Sequence, residues 1–307
     1  MRFERRHIIS MKDFTRDEMD YILDRAAKLE PLARGGRSDL LAGKILALLF
    51  YEPSTRTRMS FETAMLRLGG HVLNLGSKEA TSIVKGETLA DMIRVVSTYS
   101  DAIVQRHPSE GSALMAAEFS SVPIINGGDG AGHHPTQTLL DLYTIRKESH
   151  LDNLDIAIVG DLKYGRTVHS LTYALSLYGA NITLVSPPQL KMPDQIKADL
   201  KARGARVRET ENLGEILDSI DVLYMTRIQK ERFPDPTEYK KVAGAYKITT
   251  EHLGNVRDSM IIMHPLPRVY EIDSSVDTSS HARYFEQSFY GVPIRMALLT
   301  IVMGVEV

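Results

Sequence analysis

Apolar residues along this chain fall into two alternating rhythms. Continuous apolar runs such as KILALLFY (residues 44–51), HVLNLG (71–76), DAIVQR (101–106) and VPIING (122–127) have the length of buried strands. Between them the spacing becomes helical. In FETAMLRLGG, Phe61, Ala64, Met65 and Leu68 stand at offsets 0, 3, 4 and 7, and Gly69 and Gly70 supply a stop. ETLADMIRVVSTYS repeats that spacing with Leu89, Met92, Ile93 and Val96. Strands separated by helices predict βαβ units and a parallel sheet.

The rhythm restarts after a helix-like PTQTLLDLYTIRKES (135–149). LDIAIVGD (154–161), NITLVSP (181–187), ARVRET (205–210), DVLYMT (221–226) and SMIIMHP (259–265) are strand candidates. VHSLTYALSLYG and DQIKADLKARG are the clearest helices between them, and IRMALLTIVMG (294–304) reads as a closing helix. The expected fold class is α/β: two doubly wound domains, each with a mainly parallel sheet flanked by helices, joined near residues 130–150.

Composition narrows the function classes. At 43% hydrophobic and 25% charged residues the chain of 307 residues reads as globular rather than disordered. A formal net charge of -2, with no basic stretch, argues against nucleic acid as a partner. Any bound anion must be gripped by a local cluster. The chain has no cysteine, which removes disulfides, thiolate zinc sites and cysteine nucleophiles. MRFERRHIISMKDF lacks the apolar segment of a signal peptide, and no apolar run approaches the roughly 20 residues of a membrane helix. A soluble, cytoplasmic protein with no membrane partner is expected.

The most informative stretch is EPSTRTR (52–58), directly after KILALLFY. In doubly wound sheets ligands bind beyond the carboxyl ends of strands. Here a strand ends, Pro53 interrupts pairing and a helix begins. Free N–H groups and the positive end of a helix dipole favour phosphate, Ser54, Thr55 and Thr57 add hydroxyl donors, and Arg56 offers a planar fork. The plainer reading makes Ser54 or Thr55 a helix cap. Two arginines at the positive end of a dipole are electrostatically misplaced, however, unless an anion sits there. Nothing matches a Walker-type loop.

Similar chemistry follows other strands. QRHP (105–108) brings Arg106 and His107, and GDGAGHHPTQT (128–138) brings His133, His134 and Gln137. Adjacent histidines point in different directions and lack a third ligand at familiar spacing, so no metal or other cofactor is expected. In the second half, GDLKYGRTVHS (160–170) has glycines but not the dinucleotide fingerprint; its notable residue is Arg166. YMTRIQKERF (224–233) brings Arg227 and Gln229, and HPLPR (264–268) ends a strand with two prolines and an arginine. Arg166 and Arg227, both at strand ends, point to a substrate with two carboxylates. SKEATSIVKGE (77–87), with Ser82 and Lys85, reads from its residues alone as a solvated loop.

Taken together, S-T-R-T-R-x-S-F-E (54–62), H-P-T-Q-x-L-L-D (134–141), G-D-L-K-Y-G-R-T-V-H-S (160–170) and H-P-L-P-R (264–268) resemble the aspartate carbamoyltransferase family, in family order over nearly the whole chain. The resemblance implies a carbamoyl-phosphate-binding domain (1–134 with a returning helix, 285–307) and an aspartate-binding domain (135–284). It implies that Ser54, Thr55, Arg56 and Thr57 hold the phosphate of carbamoyl phosphate, and that Arg106, His134 and Gln137 bind its carbamoyl end, with Thr57 near the carbonyl oxygen. Arg166, Arg227 and Gln229 would bind the carboxylates of L-aspartate, and the backbone at Pro265 and Leu266 would meet the substrate amino groups. Residues matching Ser82 and Lys85 enter a neighbouring subunit's active site in relatives, which implies a homotrimer with shared sites and replaces the plain loop reading. In that reading Lys85 touches both substrates. Whether a separate regulatory chain associates is left open.

The implied reaction is attack of the aspartate amine on the carbonyl carbon of carbamoyl phosphate. Donors aimed at the carbonyl oxygen matter most. His134, Arg106 and Thr57 are the candidates, with Arg56 and Lys85 supporting the departing phosphate and His134 a donor rather than a nucleophile. The motifs contain no obvious carboxylate base, so the leaving phosphate is expected to take the amine proton. The nearest rival is an ornithine carbamoyltransferase, whose relatives carry H-C-L-P where this chain has HPLP; Arg227 would also repel an ornithine ammonium. A non-catalytic anion-binding homologue is the rival from another class.

Overall fold

The computed structural model describes residues 5–75, 85–130, 132–228, 233 and 235–307. Ser82 and Gln229 lie outside the described residues. The chain divides into two compact units, Met1–Leu140 with Phe289–Val307, and Asp141–Ser288.

In the first unit, β1 (Ile45–Phe50), β2 (His71–Asn74), β3 (Ala102–His107) and β4 (Ile124–Asp129) form a parallel sheet in the order β2-β1-β3-β4. The central runs ILALLF and AIVQRH are buried on both faces, as continuous apolar strands of a covered parallel sheet should be. α1 (Arg16–Gly35), α2 (Thr55–Arg67), α3 (Leu89–Val96) and α4 (Ser112–Phe119) accompany the sheet. On one face Ala47, Leu49, Ile103 and Ile124 pack with Ile93 of α3 and Ala116 of α4. The outer edge of β4 is occupied by the N-terminal segment: Ile8 donates to the Ile124 carbonyl (2.8 Å) and accepts from Asn126 N (2.8 Å), which blunts an open edge.

The second unit repeats the plan with β5 (Asp155–Val159), α6 (Arg166–Ser176), β6 (Asn181–Val185), α7 (Asp194–Ala202), β7 (Arg206–Thr210), β8 (Val222–Met225), α8 (Pro236–Val242) and β9 (Ile261–Met263). Its strands pair in parallel in the order β7-β6-β5-β8-β9. Ala157, Val159, Leu223, Met225 and Ile262 pack with Ile216, Leu217, Ile248 and Val276. Here too one edge is covered, by hydrogen bonds from Ile262 N to His281 O (2.8 Å) and from Arg283 N to Ile262 O (3.0 Å). The division between the units falls within two helices, α5 (Pro135–Glu148) and α9 (Tyr284–Val302).

Every strand expected from the apolar runs forms. Periodicity missed α1, although Thr15 and Glu18 spell a capping box and Met19, Ile22, Leu23 and Ala26 line its buried face. The closing helix α9 starts at Tyr284, ten residues ahead of the apolar run read from 294 and one ahead of the 285 implied by the resemblance, and runs through Gly291 and Pro293. Local propensity reads those two as a break; packing overrides it. A Cβ on Gly291 would stand 2.1 Å from the guanidinium of buried Arg295, so the glycine makes room for that side chain.

Both sheets have a point where the strand order changes direction. From β1 the chain moves outward to β2 and returns on the other side as β3; from β5 it moves out through β6 and β7 and returns as β8. A crevice opens between the carboxyl ends of strands at such points. The two switch points are therefore β1/β3 and β5/β8.

Candidate active site

At the first switch point, Phe50 is in register with Arg106, and Tyr51 N donates to the Arg106 carbonyl (2.9 Å). EPSTRTR thus leaves β1 beside the end of β3. Ser54 occupies the cap position of α2 in extended conformation, yet its side chain makes no capping hydrogen bond, and the first turn holds no acidic residue. Thr15 and Thr88 show what a capping side chain does here: each accepts a backbone N–H of its helix. The plain cap reading of Ser54 is not what the structure shows. Thr55 is exposed and Thr57 is buried in the same turn.

Arg106 is held by the Glu52 carboxylate (2.7 Å) and the Gly127 carbonyl (3.1 Å), with only 12% of its side chain exposed. The Arg56 guanidinium is pushed below its ordinary value, first by lost solvation and then by repulsion from Arg106. Two like charges are therefore close at the uncapped start of a helix, an arrangement that an anion would stabilise.

His134 reaches the same end of the sheet through the loop after β4. Asp129, buried at the last position of β4, accepts from Asn126 Nδ2 (3.0 Å), His133 N (2.7 Å) and Gly111 N (3.0 Å), which fixes the path into α5. Gly130 is required in that loop: its φ is +50° and a Cβ would lie 2.5 Å from the Pro108 carbonyl. His134 is buried, and its carbonyl accepts from Gln137 N (3.0 Å) at the start of α5. Arg295 donates to Thr136 Oγ1 (3.4 Å), which also lies 3.4 Å from His134 Nδ1. Gln137 is half-buried. Lys85 is exposed ahead of α3; nearby Glu87 adds to burial in pushing the Tyr51 hydroxyl up to about 12. Among the described residues no three His, Asp or Glu side chains gather as a metal site.

At the second switch point, Thr226 donates to the Val159 carbonyl through both N (2.8 Å) and Oγ1 (3.0 Å), so the turn after β5 and the exit of β8 lie side by side. Gly160 sits at φ +120°, where a Cβ would stand 2.4 Å from Thr226 O. Buried Asp161 accepts from Tyr164 N (3.0 Å) and shapes the turn into α6. Arg166 is the first residue of α6, behind Gly165, which provides no side-chain cap. Arg227 follows two residues after β8 ends; both arginines are partly exposed.

HPLPR follows β9, the neighbour of β8. Leu266 has φ +50°, a left-handed conformation that costs an ordinary side chain on the order of 1–2 kcal/mol. Arg268 is not free to meet a ligand: both its terminal nitrogens donate to the Asp277 carboxylate, and one also reaches Tyr284 Oη (3.2 Å). Glu52, Asp129, Asp161 and Glu271, the acids that hold these loops, had no role in the sequence reading. Glu52 stood in plain view inside EPSTRTR; the other three depend on folded neighbours.

Comparison with known proteins bears on these clusters. The model of the aspartate/ornithine carbamoyltransferase carbamoyl-P binding domain matches residues 6–147, and that of the Asp/Orn binding domain matches residues 152–302. The aspartate carbamoyltransferase catalytic subunit of Methanothrix thermoacetophila is 69% identical over 300 residues, covering 98% of this chain and 99% of the relative. The catalytic subunit of M. jannaschii aspartate transcarbamoylase superposes with a TM-score of 0.90 at 58% identity, over 97% of this chain and 98% of that one. Aspartate transcarbamoylase from Trypanosoma cruzi, in complex with carbamoyl phosphate and aspartate, gives 0.93 at 40% identity, over 98% of both chains.

Proposed function

Because the chain belongs to the aspartate/ornithine carbamoyltransferase family, we propose that it transfers the carbamoyl group of carbamoyl phosphate to the α-amine of L-aspartate, giving N-carbamoyl-L-aspartate and phosphate, an early step of de novo pyrimidine biosynthesis. The observation that carries this reading is the pair Arg56 and Arg106 at an uncapped helix start on the first switch point. In this reading Ser54, Thr55, Arg56 and Thr57 take the phosphate, and Arg106, His134 and Gln137 take the carbamoyl end. In this reading His134 acts as a donor to the carbonyl oxygen, where charge builds in the tetrahedral transition state. Arg106 adds a second, charged donor.

Arg166, Arg227 and Gln229 take the two carboxylates of aspartate, and the Pro265 and Leu266 backbone meets the amino groups. The amine forms the new C–N bond, the C–O bond to phosphate breaks, and the leaving phosphate accepts the amine proton. Lys85 and Ser82 act in the site of a neighbouring subunit, which makes the working form a homotrimer in the cytoplasm. The names of the similar proteins support aspartate over ornithine, as does the absence of a cysteine from HPLP at 264–267.

The test is direct. The purified chain is incubated with carbamoyl phosphate and either aspartate or ornithine, and ureido product is measured. Product with aspartate alone is expected. Product with ornithine would mean that Arg227 does not select a carboxylate. Binding of carbamoyl phosphate without turnover would make the chain an anion-binding homologue.

A further inference from the structure

The loop after β9 contains a buried pair of titratable residues that the transfer chemistry does not use. His264 Nδ1 accepts the N–H of Leu266 (2.8 Å), so the ring proton stands on Nε2, which donates to Glu271 Oε1 (2.7 Å). The other oxygen of Glu271 accepts from Val269 N (3.1 Å) and Tyr270 N (3.0 Å). Both side chains are almost fully buried, at 1% and 3% exposure. Burial alone would raise the Glu271 carboxyl; the His264 hydrogen bond and the backbone N–H groups outweigh it and hold the group below its usual range.

The network continues. The His264 N–H donates to Gln287 Oε1 (2.8 Å), Gln287 Nε2 donates to Asp141 Oδ1 (2.7 Å), and Tyr224 Oη donates to Asp141 Oδ2 (2.8 Å). Tyr224 lies on β8, three residues before Arg227. A continuous buried chain of hydrogen bonds therefore runs from the Leu266 backbone to β8, the strand that leads into Arg227. It ends on a residue held left-handed, at φ +50°. A polar network of this kind is generally no more stabilising than well-packed apolar side chains would be, and its directional bonds set a backbone that apolar contacts would leave loose.

We propose that His264 and Glu271 are positioning residues that set the Leu266 backbone for the aspartate substrate; this rests on the transfer to aspartate proposed above. Neither side chain touches substrate. Their effect falls chiefly on the second substrate: the network binds at Gln287, Asp141 and Tyr224 and meets α5 at Asp141, a turn beyond Gln137, rather than at a residue assigned to carbamoyl phosphate.

The experiment uses the whole chain and the variants Glu271→Gln, His264→Leu and His264→Asn. Carbamoyl phosphate affinity is measured by calorimetry, aspartate saturation at saturating carbamoyl phosphate, and folding by circular dichroism and melting. Glu271→Gln and His264→Leu are expected to raise the half-saturating aspartate concentration by about ten- to a hundred-fold, the scale of a small misplacement of a binding group. Carbamoyl phosphate affinity should stay within about twofold, as for an uncoupled distant site. His264→Asn, whose Oδ1 can replace Nδ1 as acceptor for the Leu266 N–H, should recover much of the loss seen in His264→Leu. Unchanged aspartate saturation, equal weakening of both substrates, equal loss in the Asn and Leu variants, or collapse of the fold in all three would each overturn the proposal. A wild-type chain inactive on aspartate would overturn the transfer reading and this proposal with it. An active wild type with unshifted variants would remove the positioning pair alone.

Discussion

The first and second units place arginines at the same topological position and surround them differently. At β1/β3, the donors belong to helix starts: Ser54, Thr55 and Thr57 on α2, His134 and Gln137 at α5, with Arg56 repelled by Arg106. At β5/β8 and on the adjoining β9, the loops are pinned from below by buried acids, Asp161 under the Arg166 turn and Glu271 under Leu266. Topology fixes where a ligand can sit, while loop chemistry decides which ligand it is. A helix start with no capping side chain, with Arg56 beside an Arg106 that Glu52 only partly offsets, suits a phosphate in the proposed reading. In the proposed reading, Arg166 at the start of α6 and Arg227 just past β8 suit a small diacid whose carboxylates have a set spacing.

The largest effect expected from this contrast is on turnover. His134→Ala should lower kcat by about 10²–10³-fold, the ~2.7–4 kcal/mol typical of one lost oxyanion donor, with little change in the apparent affinity for aspartate. Steady-state kinetics with each substrate varied in turn would check it; an unchanged kcat would remove His134 from the chemistry.

Next come the crossed arginines. Arg56→Ala should weaken carbamoyl phosphate, and Arg227→Ala should raise the aspartate requirement, each by about 1.5–3 kcal/mol, the worth of a hydrogen bond to a charged group. Each should leave the other substrate nearly unchanged in binding measurements. Equal losses of both substrates in both variants would erase the division between the two units.

The smallest effect is on stability. The Asp277 carboxyl is held below the usual 3.8, chiefly by its hydrogen bonds from Arg268. A depressed folded-state value stabilises the fold above the unfolded value, and that contribution is lost as pH falls through the folded one. Asp277→Asn should therefore lower the melting temperature near neutral pH by the equivalent of at most about 1 kcal/mol, since the pair is partly exposed. The gap from wild type should close in strong acid. A gap independent of pH would show that packing, not charge, ties Arg268 down.

Much of the fold was legible because its signals are local. The apolar runs that became β1, β3, β5 and β8 sit between turn residues and have no competing helical spacing. α9 was legible only in its second half, because Gly291 and Pro293 mark a break that packing around Arg295 overrides. The candidate site was legible where several rare residues crowd one strand end, as in EPSTRTR. It was not legible at Arg268, which as a residue type matches Arg166 and Arg227 and is instead committed to Asp277 and Tyr284.

The sequence by itself determined the alternation of strands and helices, the pairing of two α/β halves, the family and the identity of the arginines at the strand ends. Only the tertiary structure decided that β1 lies beside β3 and β5 beside β8, that Arg56 stands close enough to Arg106 to be perturbed by it, and that Glu271 holds His264 under Leu266. Periodicity is a property of neighbours along the chain. Strand order and buried hydrogen bonds join residues far apart in sequence, and they are settled by which packing buries the apolar faces while pairing the backbone polar groups it buries.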